Sequence, residues 1–328
     1  MLVPPKYILT PEISKLLASI ESSKEVINSI TIPPEVEMNI RRASSLKSSL
    51  FSARIEGNPL TLEELDHAPS KDQKKQEIYN ILKALNLIHQ RSARDITSKQ
   101  ILEMHEVVMN GLIEKSITGK FRTEVNAIFN TAGIAIYLPP PPRQIAGLLN
   151  RLLNFINTSK EQFVPIRSAL AHYSFEKIHP FMDGNGRVGR LLLQAVLAKS
   201  GYGMKGLLAL EEYMDEKRSL YYRSLEDTDR DVTSYVEFIL ESIATAADAA
   251  KQEVLKKQSL EVTDYLLPRR AEIYNIIKDH RLVNFDQLRR RFLAVNERTL
   301  RYDLKKLADA GLIRKLGTTN GAHYEPVK

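Results

Sequence analysis

The chain contains no cysteine, which excludes disulfide bonds and thiolate metal sites and leaves the redox compartment open. None of its 7 histidines stands at zinc-type spacing. No apolar run reaches the roughly 20 residues that span a bilayer. The opening MLVPPKYILTPE places prolines where a secretory segment needs an unbroken apolar stretch. A membrane partner is therefore not expected, and the cytoplasm is the default location. What is present is an ordinary globular balance, 43 % hydrophobic and 27 % charged, enough to bury a core. A length of 328 residues predicts two or three units. The net charge of +7 is unevenly placed: Pro268 to Lys328 hold 14 Lys and Arg against 7 Asp and Glu, so the preceding residues balance to zero. That asymmetry points to a separate C-terminal unit with an anionic partner.

Along the chain the apolar spacing is mostly helical. Weak periodicity (Ile13, Leu16, Leu17, Ile20) precedes the breaker at Pro33-Pro34, and a helix-favouring stretch then runs to Ile55. Glu56-Gly57-Asn58-Pro59 closes it, with Gly past the helix end and Pro beyond. Thr61 and Glu64 have the spacing of a capping box. Amphipathic patterns follow over 74–91, 98–111, 143–157, 165–177, 186–200, 217–225 and 231–258. Residues 125–138 differ: two short apolar runs around Asn130-Thr131-Ala132-Gly133 predict a β-hairpin, ended by Pro139 to Pro142. From 268 onward, three helices and a basic hairpin whose tip is Gly317 to Gly321 give the order of a winged helix-turn-helix.

One segment carries the chemistry: His179-Pro180-Phe181-Met182-Asp183-Gly184-Asn185-Gly186-Arg187-Val188-Gly189-Arg190, opening a helix. Glycines let backbone approach a ligand, and free N–H groups at a helix start suit phosphate. Arg187 and Arg190, three apart, project from one face toward such an anion. Asp183 is a hard oxygen ligand of the type Mg²⁺ takes alongside nucleotide phosphates. His179 is the titratable group able to accept a hydroxyl proton near neutral pH.

The string resembles the signature of the Fic (AMP-transferase) family, H-P-F-x-D-G-N-G-R-x-x-R, with every fixed position filled. The likeness spans about 34–245, taking in Gly119-Lys120-Phe121-Arg122 and Ala171-His172-x-x-Phe175-x-x-Ile178. The resemblance implies a mainly α fold: a Fic-type helical core with a β-hairpin flap. It further implies AMP transfer from Mg-ATP to a Tyr, Thr or Ser hydroxyl of a protein, with the chain itself an open target. His179 is then the base and Asp183 holds Mg²⁺, with ATP and Mg²⁺ as the implied cofactors. Gly184, Asn185 and Gly186 line the anion hole, Arg187 and Arg190 neutralise the outer phosphates, and Phe181 anchors the loop.

Ser52-x-x-x-Glu56-Gly57-Asn58 resembles the same family's inhibitory motif, S/T-x-x-x-E-G/N, which implies that Glu56 pairs with Arg190. The segment Ile134, Ala135, Ile136, Tyr137 resembles the flap strand that registers a target segment over the base. Tyr222, beside Tyr221, and Asp229 fall at the family's adenine pocket, although some relatives have Asn at the latter. His105 and His172, at apolar helical spacing, read as core histidines. In the C-terminal unit Arg298, Arg301 and Tyr302 are candidates to face a DNA groove, with Leu300, Leu304 and Leu307 in the core. The expected division is 1–60 for the N-terminal helical segment with the inhibitory helix, 61–245 for the Fic core, 246–267 for a helical linker, and 268–328 for the winged helix-turn-helix. The competing functional reading is a nucleotide-sensing transcription regulator that uses the winged helix on DNA. Homodimerisation is a further role open to that unit.

Overall fold

The computed structural model describes residues 1–67, 72–90, 95–129, 135–158, 161–258, 266–317 and 322–327. It is mainly helical. The first elements are α1 (Pro11–Ser29), α2 (Pro34–Ile55), α3 (Leu62–His67), α4 (Gln73–Gln90) and α5 (Ser98–Val108). Strands β1 (Ile128–Phe129) and β2 (Ala135–Tyr137) lead into α6 (Pro142–Thr158), α7 (Val164–Ile178) and α8 (Asn185–Lys199). Then come α9 (Leu210–Glu216), α10 (Arg218–Leu225) and α11 (Thr233–Gln258). The last are α12 (Pro268–His280), β3 (Val283–Asn284), α13 (Phe285–Arg291), α14 (Glu297–Asp309), β4 (Ile313–Leu316) and β5 (His323–Pro326). Residues 246–258 of the expected linker are the second half of α11, and 259–265 lie outside the described residues. Among the described residues no helix is long and apolar enough to cross a membrane.

The chain divides into two compact units, Met1–Ser29 with Arg41–Gln252, and Ile30–Ile40 with Glu253–Lys328. In the first, α7 and α8 form the most extensive helix pair, with α6 packed on α7 and with α4 and α5 packed on α8. The sequence explains the centre. From Val164 to Ile178 α7 is buried on nearly every side, as expected of a helix without a continuous polar face. Leu191, Leu192 and Leu193 of α8 are all at most 2 % exposed, each burial favouring folding by about 1.5–3 kcal/mol before the opposing chain entropy. These two helices hold the ends of the loop between them, residues 179–184, in a fixed frame.

Within the same unit α2 docks differently. Its buried face carries Ser45, Ser48, Ser49 and Ser52. Ser48 Oγ donates to Glu211 Oε2 at 2.7 Å and accepts from Gln194 Nε2 at 3.0 Å. Hydrogen bonds to α8 and α9 thus fix its rotation and set which residues past Ile55 face α8. At the start of α3, Thr61 and Glu64 make the reciprocal capping bonds that their spacing predicts.

Among the described residues the second unit contains α12, α13 and α14 and a three-stranded antiparallel sheet of order β3-β5-β4. Ile273, Ile277, Leu288, Leu300, Leu304 and Leu307 make up much of its core, including the three leucines expected from the spacing of α14. Asn284 caps α13 in a capping box with Gln287. Asp303, 1 % exposed, accepts from Arg269 Nε at 2.6 Å and Arg270 Nε at 2.9 Å, so its buried charge is paired. Of the expected hairpin tip, residues 318–321 lie outside the described residues.

Candidate active site

Helix α7 ends at His179, whose left-handed backbone (φ 50°, ψ 59°) turns the chain out of the helix while its N–H still bonds Phe175 O at 2.9 Å. Five residues later Gly184 (φ 78°) starts α8. Glycine is required there twice over: by that torsion and because a Cβ would sit 2.6 Å from Met109 Sδ. Phe181 is fully buried, stacked on His105 with ring centroids 3.8 Å apart. Asn185 then clamps the loop, its Oδ1 accepting from Phe181 N–H at 2.8 Å and its Nδ2 donating to Phe181 O at 2.9 Å. The Asn185 side chain is therefore occupied by the loop. What it offers an anion is its backbone N–H, one of three at Asn185, Gly186 and Arg187 that precede the first intrahelical donor, Val188 N–H, which bonds Gly184 O at 3.1 Å.

His105 is a core histidine with a task. Its Nδ1 accepts from Gly119 N–H at 2.9 Å, so the proton is on Nε2, which donates to Asp183 O at 3.1 Å. Burial lowers its pKa, which keeps that tautomer neutral. The bond fixes the Asp183 backbone while its side chain stays 57 % exposed. Asp183 Oδ1 accepts from Gly184 N–H at 2.5 Å and from Arg187 Nη2 at 3.1 Å. An open carboxylate at the mouth of an anion cradle fits a magnesium ion that shares its other ligands with phosphates and water. Among the described residues no cluster of three or more His, Asp or Glu makes a closed metal site.

The His179 ring lies beside this cradle. Its Nδ1 is 3.3 Å from Glu176 O, so donation there leaves the Nε2 lone pair for a substrate proton. Burial, reinforced by Arg122, pushes its pKa down to about 4 against the pull of Glu56 and Asp183, so the imidazole is neutral at physiological pH. Arg122 is the staple of the loop. It is 3 % exposed, its Nε donates to His179 O at 2.8 Å, and its Nη1 to Glu124 O at 2.9 Å. Its own N–H bonds Pro180 O at 2.9 Å.

Both arginines of the cradle are nearly enclosed, Arg187 7 % and Arg190 1 % exposed. Arg190 donates from Nε to Ser52 Oγ at 3.0 Å, and from Nη2 to Ser52 O and Glu56 Oε1, each at 2.9 Å. Burial opposes charge on Arg190, yet the Glu56 carboxylate outweighs it and raises its pKa. Glu56 is likewise disfavoured by burial but held below the usual carboxylate range by Arg190 and then Arg187. Gly186 leaves room for this pair, since a Cβ there would lie 2.4 Å from Glu56 Oε1.

Arg187 pairs with Glu77 Oε1 of α4, while its Nε is buried without a hydrogen-bond partner, an unmet donor at an anion site. Glu77 Oε2 accepts from Asn58 Nδ2 at 2.8 Å. The stretch Ser52–Glu56–Gly57–Asn58 thus reaches Arg190 directly and Arg187 through Glu77. Gly57 itself (φ 99°) makes the turn between Glu56 and Asn58.

The flap candidates sit at the rim. β1 and β2 pair antiparallel, Ile128 opposite Tyr137 and Phe129 opposite Ala135. Tyr137 OH donates to Lys177 O at 2.9 Å, which ties β2, the strand of Ala135, Ile136 and Tyr137, to the end of α7. Ile134 lies outside the described residues. Tyr222 is 44 % exposed, and its OH donates to Ile55 O at 3.2 Å beside Glu56. Asp229 is engaged elsewhere: its Oδ2 accepts from Leu2 N–H at 2.5 Å and its carbonyl from Lys6 N–H at 3.0 Å. In the second unit Arg298, Arg301 and Tyr302 are exposed on α14, with the Arg301 guanidinium 3.9 Å from the centroid of the Phe285 ring.

Spacing could not reveal Arg122, Glu77 or Glu176 as members of this site, because each is joined to it by folding alone. In the sequence Arg122 stands out only within Gly119-Lys120-Phe121-Arg122, the part of the resemblance that precedes the hairpin.

The cradle falls inside the segment, residues 95–197, that matches the pattern of the Fic/DOC family. Protein adenylyltransferase Fic of Drosophila sechellia and that of Drosophila melanogaster are each 28 % identical over 245 residues, covering 71 % of this chain and 47 % of the relative. The chain thus spans about half the length of the curated relatives it matches. The crystal structure of a Fic family protein from Desulfovibrio desulfuricans G20 superposes with a TM-score of 0.68 at 25 % identity, covering 98 % of both chains. That of a Fic-domain signaling protein from Bacteroides thetaiotaomicron VPI-5482 has the same fold, with a TM-score of 0.62 at 21 % identity over 75 % of this chain and 100 % of its own. With its helix-start cradle and its base, the matched segment, residues 95–197, is a Fic/DOC-family domain.

Proposed function

We propose that this chain is a protein adenylyltransferase that moves AMP from Mg-ATP to a hydroxyl side chain of a protein, and that Glu56 holds it inactive. The observation that carries this is the neutral His179 imidazole beside a cradle whose innermost arginine is occupied by Glu56. His179 Nε2 takes the proton of a target Tyr, Thr or Ser hydroxyl as its oxygen bonds the α-phosphorus. The bond from that phosphorus to the bridging oxygen breaks, and pyrophosphate leaves. The N–H groups of Asn185, Gly186 and Arg187 face the charge on the phosphates, and the guanidinium groups of Arg187 and Arg190 neutralise it. Asp183 would hold Mg²⁺, which supplies charge neutralisation between the phosphates. Glu56 takes the guanidinium that the terminal phosphate needs, which is how inhibition arises. The relatives named protein adenylyltransferase support the activity.

The test is to incubate the chain and its Glu56→Gly variant with Mg²⁺ and ATP labelled on the α-phosphate. Label on protein, absent in His179→Ala, is the expected result. Label transferred from a parallel incubation with γ-labelled ATP, and none from α-labelled ATP, sinks it in favour of a kinase-like reaction.

A second role rests on the other unit. Its sheet order and helices support a winged helix, and residues 268–328 within it hold the chain's whole surplus of positive charge. We read α14, with Arg298, Arg301 and Tyr302 exposed, as a DNA-facing helix. A duplex-binding titration across salt concentrations checks this, and binding indifferent to salt would remove it.

A further inference from the structure

One carboxyl group, Glu56, holds Arg190, and a second, Glu176, lies against the same helix at Gly189. α8 presents Gly186 and Gly189 one turn apart, so bare backbone faces both acids. A Cβ at Gly186 would lie 2.4 Å from Glu56 Oε1, and one at Gly189 only 2.0 Å from Glu176 Oε1. Glu176 comes from the last turn of α7, three residues before His179. Its side chain is 11 % exposed, and its Oε1 is enclosed without a hydrogen-bond partner.

The groups around it come from five elements. His172 Nε2 on its own helix is 3.8 Å away. Arg190 of α8, Glu56 past α2, Tyr221 and Tyr222 of α10, and Tyr235 of α11 all act on it electrostatically. His172 supplies no charge. It is fully buried between the Tyr235 and Tyr221 hydroxyls, and burial pushes its pKa down to about 3. An ionised carboxylate without a donor is costlier to bury than the neutral acid. Burial, aided by Glu56 and opposed by Arg190, accordingly raises Glu176 to about 8. One guanidinium therefore serves one anion and one acid, as when two carboxyls compete for a single positive charge.

We propose that Glu176 is a positioning residue for Arg190, carrying a proton while Glu56 occupies the guanidinium and becoming its counter-ion when Glu56 leaves. On that exchange the Glu176 proton passes to solvent and no other bond changes. A buried guanidinium without a carboxylate would otherwise stand uncompensated until a nucleotide arrives. The glycine at position 189 keeps the space that Glu176 needs.

The proposal rests on Glu56 acting as the lock, so its main test does not depend on activity. Infrared spectra of the full chain, minus those of Glu176→Gln, should show the carbonyl stretch of a protonated carboxylic acid at neutral pH, disappearing with a midpoint near pH 8. The same difference taken in the Glu56→Gly background should lack that band at neutral pH. A band that is missing from the parent chain, or that keeps its midpoint without Glu56, overturns the proposal. Gln matches Glu in shape and mimics the neutral form, so this variant should fold; Glu176→Asp gives a second reference if it does not. In the Glu56→Gly background, Glu176→Gln should also weaken ATP binding by about tenfold, the loss of roughly 1.4 kcal/mol. If Glu56→Gly labels no protein at all, AMP transfer fails as a reading, while the infrared result still decides the role of Glu176.

Discussion

At the scale of single residues, the site is governed by which charges are already taken. Arg190 is satisfied by Ser52 and Glu56 before any ligand enters. A charge-assisted hydrogen bond to a buried group contributes about 1.5–3 kcal/mol. Glu56→Gly should therefore raise AMP transfer about 10- to 100-fold, measured as initial rates of α-phosphate labelling. Unchanged rates would detach Glu56 from inhibition. His172 gives a pH prediction. Its folded pKa near 3 lies below the ordinary histidine value of 6.5, so between these values the unfolded chain binds the extra proton and stability rises with pH. Acidification from about 6.5 toward 3 should lower the melting temperature steadily. In His172→Gln that part of the slope should vanish, and an identical slope in both proteins would remove the assignment. The motif from His179 to Arg190 was readable from the sequence because its residues act within a single loop and turn. Glu77 and Glu176 were not, since an isolated glutamate on a helix looks the same whether it meets solvent or an arginine brought in from a distant element.

At the scale of elements, the site depends on two helix ends meeting in register. Helical pattern over 165–177 and 186–200 identified α7 and α8 to within one residue at each end. The hairpin formed, but among the described residues its strands, 128–129 and 135–137, leave out 125–127 and Leu138 of the runs that the alternation suggested. Val125 is exposed, and Asn126 Nδ2 donates to Met182 O at 3.3 Å, so this part of the chain serves the loop and not the ladder. Gly184→Ala tests the register of the two helix ends. The left-handed torsion and the Met109 sulfur together should cost about 1–3 kcal/mol, read as a lower denaturant midpoint. Labelling should be lost as well. A variant of native stability would show that Met109 moves aside at little cost.

At the scale of the whole molecule, charge asymmetry was the clearest signal, and periodicity in the last sixty residues identified the helices and hairpin behind it. What composition could not anticipate is that Ile30–Ile40 cluster with residues 253 onward. The segments are remote in sequence, and no local pattern links them. If the second unit binds duplex DNA, Arg298→Ala and Arg301→Ala should each lower the salt dependence of binding by about one counter-ion. Arg298 is the cleaner probe, because Arg301 also lies over the Phe285 ring and 3.9 Å from Glu297. A fluorescence anisotropy titration measures it, and slopes equal to those of the unaltered chain would place the DNA face elsewhere.

The Asn185 clamp on Phe181 has a thermodynamic consequence. A loop already cross-braced at both of its peptide groups has little motion left to freeze, so an incoming triphosphate meets a surface that is rigid beforehand. Deuterium uptake at the Phe181 amide, which Asn185 Oδ1 accepts from, should accordingly be slow in the resting protein and change little when ATP is added. Asn185→Ala should speed that uptake and weaken nucleotide affinity together, through entropy, since no direct ligand contact from the side chain is removed.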